Sequence, residues 1–202
     1  MTRTVVIGAI LAGGAGSRFG GMPKGLERVG GVRVIDRVAT ALRSVASELL
    51  VVSNAPGAES WLEGARVAGD VRGGRGSLVG IHAAISHARG PVIVVAWDMP
   101  FISSELLTVI RERGETAAHA VIPVTKTGIE PCCAWYSPAA LPAIDGMLDA
   151  GEYRLGALID RLPSVDVMTP AEIARVGDPR RLFFNINAPA DLALAESLLD
   201  RN

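Results

Sequence analysis

Two cations in a glycine-rich loop, a carboxylate at the end of a buried strand and several amides at other strand ends are the groups here that could handle a phosphate. The loop runs from Gly13 to Gly25 and contains six glycines and two basic residues, Arg18 and Lys24. Glycine lets backbone approach a ligand closely and adopt positive φ, and successive N–H groups in such a loop converge on an anion. Arg18 and Lys24 would supply the charge a polyphosphate requires. The apolar run Val5–Ala12 in front of the loop has the length of a strand. A phosphate cradle at the end of a first strand is therefore expected, with a flexible connection as the plain alternative.

Asp98 follows Pro91–Trp97, a continuous apolar run that reads as a strand buried on both faces. An unpaired carboxylate is costly there. Mg²⁺ would neutralise it, since that ion takes one or two carboxylates plus substrate phosphates. A turn or cap aspartate before Pro100 is the alternative. In open α/β sheets ligands bind beyond the carboxyl ends of the strands. The residues expected at those ends are Arg18 and Lys24, then Asn54, Asp70, Asp98, Asn185 and Asn187. A nucleotide with a divalent metal would use all of them, although Asp70 at a strand–loop junction equally suits a turn.

The loop fails two well-known spacings. A G-x-G-x-x-G fingerprint starting at Gly14 and Gly16 meets Phe19, and the Walker pattern needs a Gly-Lys pair where Lys24 follows Pro23. No G-x-S-x-G elbow is present. A dehydrogenase and a P-loop NTPase are thus disfavoured, while phosphate binding is retained.

These groups need a scaffold, and 202 residues suffice for one sizeable domain spanning 1–202. A net charge of −1 argues against nucleic acid as a partner, which would favour a strongly basic surface. Cys132 and Cys133 are adjacent and lie in an apolar run, so buried reduced thiols are expected rather than a disulfide or zinc site. His82, His87 and His119 have no metal-ligand spacing. Arg3 and the run after it imitate a signal peptide, but the run is short and enters the glycine loop. No run reaches the ~18–20 apolar residues of a membrane span, so a cytoplasmic protein without a membrane partner is expected.

Apolar residues at steps of three and four predict a helix over Val34–Leu49, and Leu49–Ser53 reads as the next strand. Together they form a βαβ unit of a parallel sheet. A short helix over Ala58–Gly64 and a short strand over Ala65–Gly69 follow. A second glycine loop, Arg72–Gly80, precedes a helix over Ile81–Ala88, and Arg72 and Arg75 are expected to be solvated or, alternatively, to meet an anionic ligand. Ser103 or Ser104 should cap a helix carrying Leu106, Leu107 and Ile110. Strands are expected over Ala120–Thr125, Pro131–Tyr136, Val165–Met168 and Leu182–Ile186, and helices over Ala139–Leu148, Leu155–Leu162 and Asp191–Leu199. The sum is a single three-layer α/β domain with a mostly parallel, mixed sheet.

Four segments, taken in order, resemble the sugar-nucleotide-type nucleotidyltransferases and, within them, the molybdenum cofactor guanylyltransferases. They are Leu11-Ala12-Gly13-Gly14 leading through Arg18 to Lys24-Gly25-Leu26, then Gly76-Ser77-Leu78-Val79-Gly80, Asp98-Met99-Pro100, and Asn185-Ile186-Asn187-Ala188-Pro189. Pro23 stands where that group has an acidic residue, and Ser77 where it has proline. The resemblance implies a Rossmann-like nucleotidyltransferase fold and transfer of GMP from GTP to a molybdopterin-type acceptor with release of pyrophosphate. It implies Mg²⁺ on Asp98, and Arg18, Lys24 and the N–H groups of Leu11, Ala12, Gly13 and Gly14 on the triphosphate. Asn54 and Asp70 would recognise the nucleoside, with Gly80 near base or ribose, while Asn185 and Asn187 would face the pterin or support the metal. Transient contact with cofactor-delivery or molybdoenzyme partners is also implied. A cytidylyltransferase, a sugar-phosphate enzyme and a non-catalytic nucleotide-binding adaptor are the alternatives.

Overall fold

Strand β1 (Ile7–Leu11) is buried at every residue, as a central parallel strand covered on both faces must be. The computed structural model describes residues 5–13 and 23–199. On either side of β1 lie β4 (Glu48–Val52) and β6 (Val92–Ala96), both parallel to it. Beyond β4 comes β5 (Arg66–Ala68), also parallel. Beyond β6 come β9 (Cys133–Tyr136), β7 (Ala120–Thr125) and β10 (Val165–Met168). In this sheet, among the described residues, only β9 and the two-residue β8 (Gly128–Ile129) run against their neighbours.

Alternate residues of the strands feed two cores. On one face α1 (Val34–Arg43) and α3 (Ser104–Gly114) bury Ile35, Leu42, Leu106 and Ile110 with Ile10, Val51, Ile93 and Val95. On the other, α2 (Ser77–Ala88), α4 (Leu141–Asp149) and α5 (Leu158–Arg161) bury Leu78, Ile81, Ile144 and Leu158 with Ala9, Leu11, Leu50 and Val94. The result is the expected three-layer α/β domain. Among the described residues, no helix is long and apolar enough to cross a membrane.

Several expectations are corrected. The first helix ends at Arg43 rather than Leu49. Ser47 N–H donates to Val6 O at 3.1 Å, and this starts the ladder that takes Leu49 into β4. Helix α2 begins at Ser77, not Ile81, so the second half of the second glycine loop is its first turn. The Ala58–Gly64 helix shrinks to a single 3₁₀ turn over Ala58–Ser60.

Leu182–Ile186 is no strand. Pro179 and the capping Asp178 start a short helix, α7 (Pro179–Leu182), and Ile186 N–H makes its bond to Asp98 O at 2.9 Å. The apolar run there fills core edges instead of a ladder, with Ile186 buried beside Phe101 and Val34 under α8 (Pro189–Leu199). A further helix, α6 (Pro170–Ile173), opens on a capping box of Thr169 and Glu172. The hairpin of β2 (Arg28–Val29) and β3 (Val32–Arg33) was not foreseen, although its signal is present. Gly30 and Gly31, at φ +59° and +73°, form the two-residue turn that such hairpins require.

Candidate active site

The strand order runs outward from β1 through β4 to β5, then restarts on the other side of β1 at β6. Ligands of open α/β sheets bind at such a reversal, beyond the carboxyl ends. The register aligns those ends. Leu11 is opposite both Val52 and Ala96, and Val52 is opposite Ala68. Gly13, Asn54, Asp70 and Asp98 each stand two residues beyond that row.

Asp98 is 7% exposed. Lys24 Nζ donates to its Oδ2, and also to Asn187 Oδ1 at 3.4 Å. Residues 24, 98 and 187, remote in sequence, are thus gathered at one point. Each is separately held. The Asp98 carbonyl accepts from Ile186, which brings Asn187 alongside. Asp191 accepts from the N–H groups of Asn187 and Ala188 at 2.7 and 2.8 Å, a positioning role the sequence signalled only as an acidic residue in the first turn of α8. Lys24 rides on a 3₁₀ turn, Lys24–Leu26, laid over the indole of Trp97. A methyl built at Gly25 would come within 2.6 Å of Trp97 Cδ2. Gly25 therefore answers to packing. At Gly13 a methyl would meet nothing within 4 Å among the described residues.

The other Asp98 oxygen, Oδ1, is buried and finds no hydrogen-bond partner among the described residues. A buried carboxylate oxygen left unpaired is costly, and a hard cation bringing its remaining ligands from substrate phosphates fits that oxygen. Among the described residues no cluster of three or more His, Cys, Asp or Glu side chains forms a metal cage.

Asn54 and Asp70 form one unit. Asn54 Nδ2 donates to Asp70 Oδ2 at 2.6 Å, and Asp70 N–H donates to Asn54 Oδ1 at 2.8 Å. Gly80 lies in the first turns of α2, where a methyl would touch Leu11 Cδ2 at 3.4 Å. Asn185 Nδ2 donates to Phe183 O at 2.9 Å, so its amide is engaged locally and is not part of the Lys24 cluster. The N–H of Ala12 donates to Val52 O at 2.9 Å and is not available to a phosphate. Gly14 and Arg18 lie outside the described residues.

Arg72 is partly exposed, as expected, but its guanidinium is also ion-paired, which was not expected. It donates to Asp145 Oδ1 at 2.6 Å and to Asp149.

Cys132, on the approach to β9, was read only as a core thiol, yet it neighbours this cluster. Burial pushes its thiol up to about 11; Ser77, by a hydrogen bond, and Lys24 pull it down, while Asp98 and Glu130 push it up. Burial also raises the Glu130 carboxyl, against a hydrogen bond from Thr125. Cys133 is raised well above the ordinary thiol by burial first. Thiolate is the reactive form, and burial holds the Cys132 thiol above the ordinary range. Iodoacetamide at pH 8 should therefore leave both cysteines unmodified in the native chain and label both after denaturation. Fast native labelling of Cys132 would contradict this.

The strand order and the gathering of these groups at its reversal define the class, a nucleotidyltransferase fold. The MobA-like NTP transferase domain matches residues 8–165, and the chain belongs to that family. It is 34% identical to the molybdenum cofactor guanylyltransferase of Desulfosudis oleivorans, over 96% of both chains. It is 37% identical to a probable molybdenum cofactor guanylyltransferase of Deinococcus radiodurans, over 92% of this chain and 91% of the relative. The crystal structure of molybdopterin-guanine dinucleotide biosynthesis protein A from Archaeoglobus fulgidus superposes with a TM-score of 0.82 at 29% identity, covering 97% of this chain and all of the other.

Proposed function

We propose that the protein transfers GMP from GTP to a molybdopterin-type acceptor and releases pyrophosphate. The observation that carries this is Asp98, whose Oδ2 is held by Lys24 while its buried Oδ1 has no partner among the described residues, at the strand-order reversal. The names of the relatives support the choice of nucleotide and acceptor.

In the reaction a terminal phosphate oxygen of the acceptor attacks the α-phosphorus of GTP. The bond to the α–β bridging oxygen breaks, and pyrophosphate leaves with the electron pair. The attacking oxygen is already anionic, so the chain must position and neutralise rather than remove a proton. Asp98 would hold Mg²⁺, which when bound supplies Lewis-acid neutralisation of phosphate charge. Lys24, poised between Asp98 and Asn187, holds the charge of the triphosphate and of the leaving pyrophosphate together with Arg18. The N–H groups of Gly13 and Gly14 carry the backbone part of the cradle. Asn54 and Asp70, locked to each other, recognise the nucleoside, with Gly80 beside base or ribose. Asn187 orients the acceptor side, with Asn185 behind it. The work is that of a cytoplasmic enzyme which meets cofactor-delivery or molybdoenzyme partners transiently.

A ligand that binds only the native state stabilises it, by ~2.7 kcal/mol at a hundred times Kd. For a chain of this size that is a shift of about 5–10 °C. GTP with Mg²⁺ should give this shift and CTP or UTP should not, and the acceptor should then release pyrophosphate. A shift with CTP alone would make the protein a cytidylyltransferase. Binding without pyrophosphate release would make it an adaptor.

A further inference from the structure

The segment between β5 and α2, residues 69–76, carries Asp70, and three elements grip it. Asn54 holds Asp70 from the end of β4. His87, on α2, donates from Nε2 to Gly69 O at 3.0 Å. Arg72 reaches α4, where Nη1 donates to Asp145 Oδ1 at 2.6 Å and Nη2 to Asp149 Oδ1. Asp145 and Asp149 are four residues apart on one helix, so their carboxylates share a face and repel each other. A guanidinium fork satisfies both at once. Asp145 is itself steadied by His82, buried on α2, whose Nε2 lies 3.1 Å from the same Oδ1. Farther along, Gly74 at φ +132° passes against Tyr153, and a methyl there would lie 2.8 Å from Cε1 of that ring. Such a φ and so close a neighbour leave little choice of residue at that position.

We infer that Arg72 is a positioning residue for the nucleoside: by tying the Asp70 segment to the carboxylate pair of α4 it pre-orders the recognition loop, and it does not itself bind the anionic substrates. The proposal rests on the assignment of Asp70 to the nucleoside. Arg72 is the only cation that the described residues place on both α4 carboxylates, so its removal releases the loop from α4, leaving the Asn54 and His87 contacts, and leaves a like-charge pair behind. An ordered loop lowers the cost of binding without touching the chemical step.

The test uses full-length protein with GTP and Mg²⁺ in calorimetry and steady-state kinetics. Arg72→Ala should raise Kd and KM for GTP about three- to fivefold, with kcat at saturation unchanged and acceptor KM unchanged. The double variant Asp145→Asn with Asp149→Asn should reproduce this loss, and Arg72→Ala in that background should add nothing further. Arg72→Lys, which keeps charge and stem but loses the fork, should show a smaller loss of the same kind. If Arg72→Ala leaves GTP affinity intact, or raises only the acceptor KM while the aspartate variant behaves as wild type, the inference falls. Wild-type protein that answers to CTP and not GTP would overturn the nucleotide assignment alone, and the same series would then be read with CTP.

Discussion

Asp98→Asn should lower kcat by about 10²–10³-fold, roughly 3–4 kcal/mol of transition-state stabilisation, while the unliganded protein melts close to wild type. The substitution preserves shape, and the amide oxygen of asparagine still accepts from Lys24. What it removes is the negative charge that a divalent cation needs. Protection against melting by GTP with Mg²⁺ should therefore collapse toward the value seen with GTP and chelator. Turnover at the wild-type rate would sink the metal assignment.

Lys24→Ala makes the converse comparison. Without the amine, the Asp98 carboxylate is buried with neither oxygen paired to Lys24, and an uncompensated buried charge destabilises. The lysine variant should thus lose stability as well as activity, and the aspartate variant mainly activity. That asymmetry distinguishes a lysine that merely neutralises its neighbour from a pair that also serves the reaction.

Much of this site was legible because parallel strands buried on both faces read as unbroken apolar runs, and the first polar residue after each run marks its carboxyl end. Asp98 was found in that way, Asn54 one place beyond Ser53 at the end of such a run, and Asp70 only as a strand–loop junction after a short run broken by Arg66; the register then set them in one row with Gly13. Apolar runs without a sheet role misled for the same reason. Val45 is buried after α1 has ended, and Phe183 and Ile186 are buried outside any ladder. Hydrophobicity reports burial, not the backbone state that achieves it.

Long-range polar pairs were the other gap. Nothing near Arg72 in sequence announces α4, although two aspartates on one face of a helix, four residues apart, ask for a cation. Gly25 had no separate reading. Its neighbours in sequence are residues of the loop expected to cradle a phosphate, but the structure turns it toward an indole.

That indole makes Gly25→Ala a severe change for one methyl. Trp97 is buried and stacked on Trp61 at 5.2 Å between centroids, so the ring has nowhere to retreat. Overpacking of this kind costs ~1–3 kcal/mol, or about 3–10 °C in melting midpoint for a chain of this size. The turn itself must lift, and Lys24 moves with it, away from Asp98 and Asn187. A displacement near 1 Å can cost ~10²-fold in rate, so activity should fall by about that factor even well below the melting range. Gly13→Ala supplies the contrast, because its methyl meets nothing among the described residues. It should melt like wild type and lose GTP protection alone. If Gly25→Ala kept both its midpoint and its turnover, packing against Trp97 would not be what places Lys24.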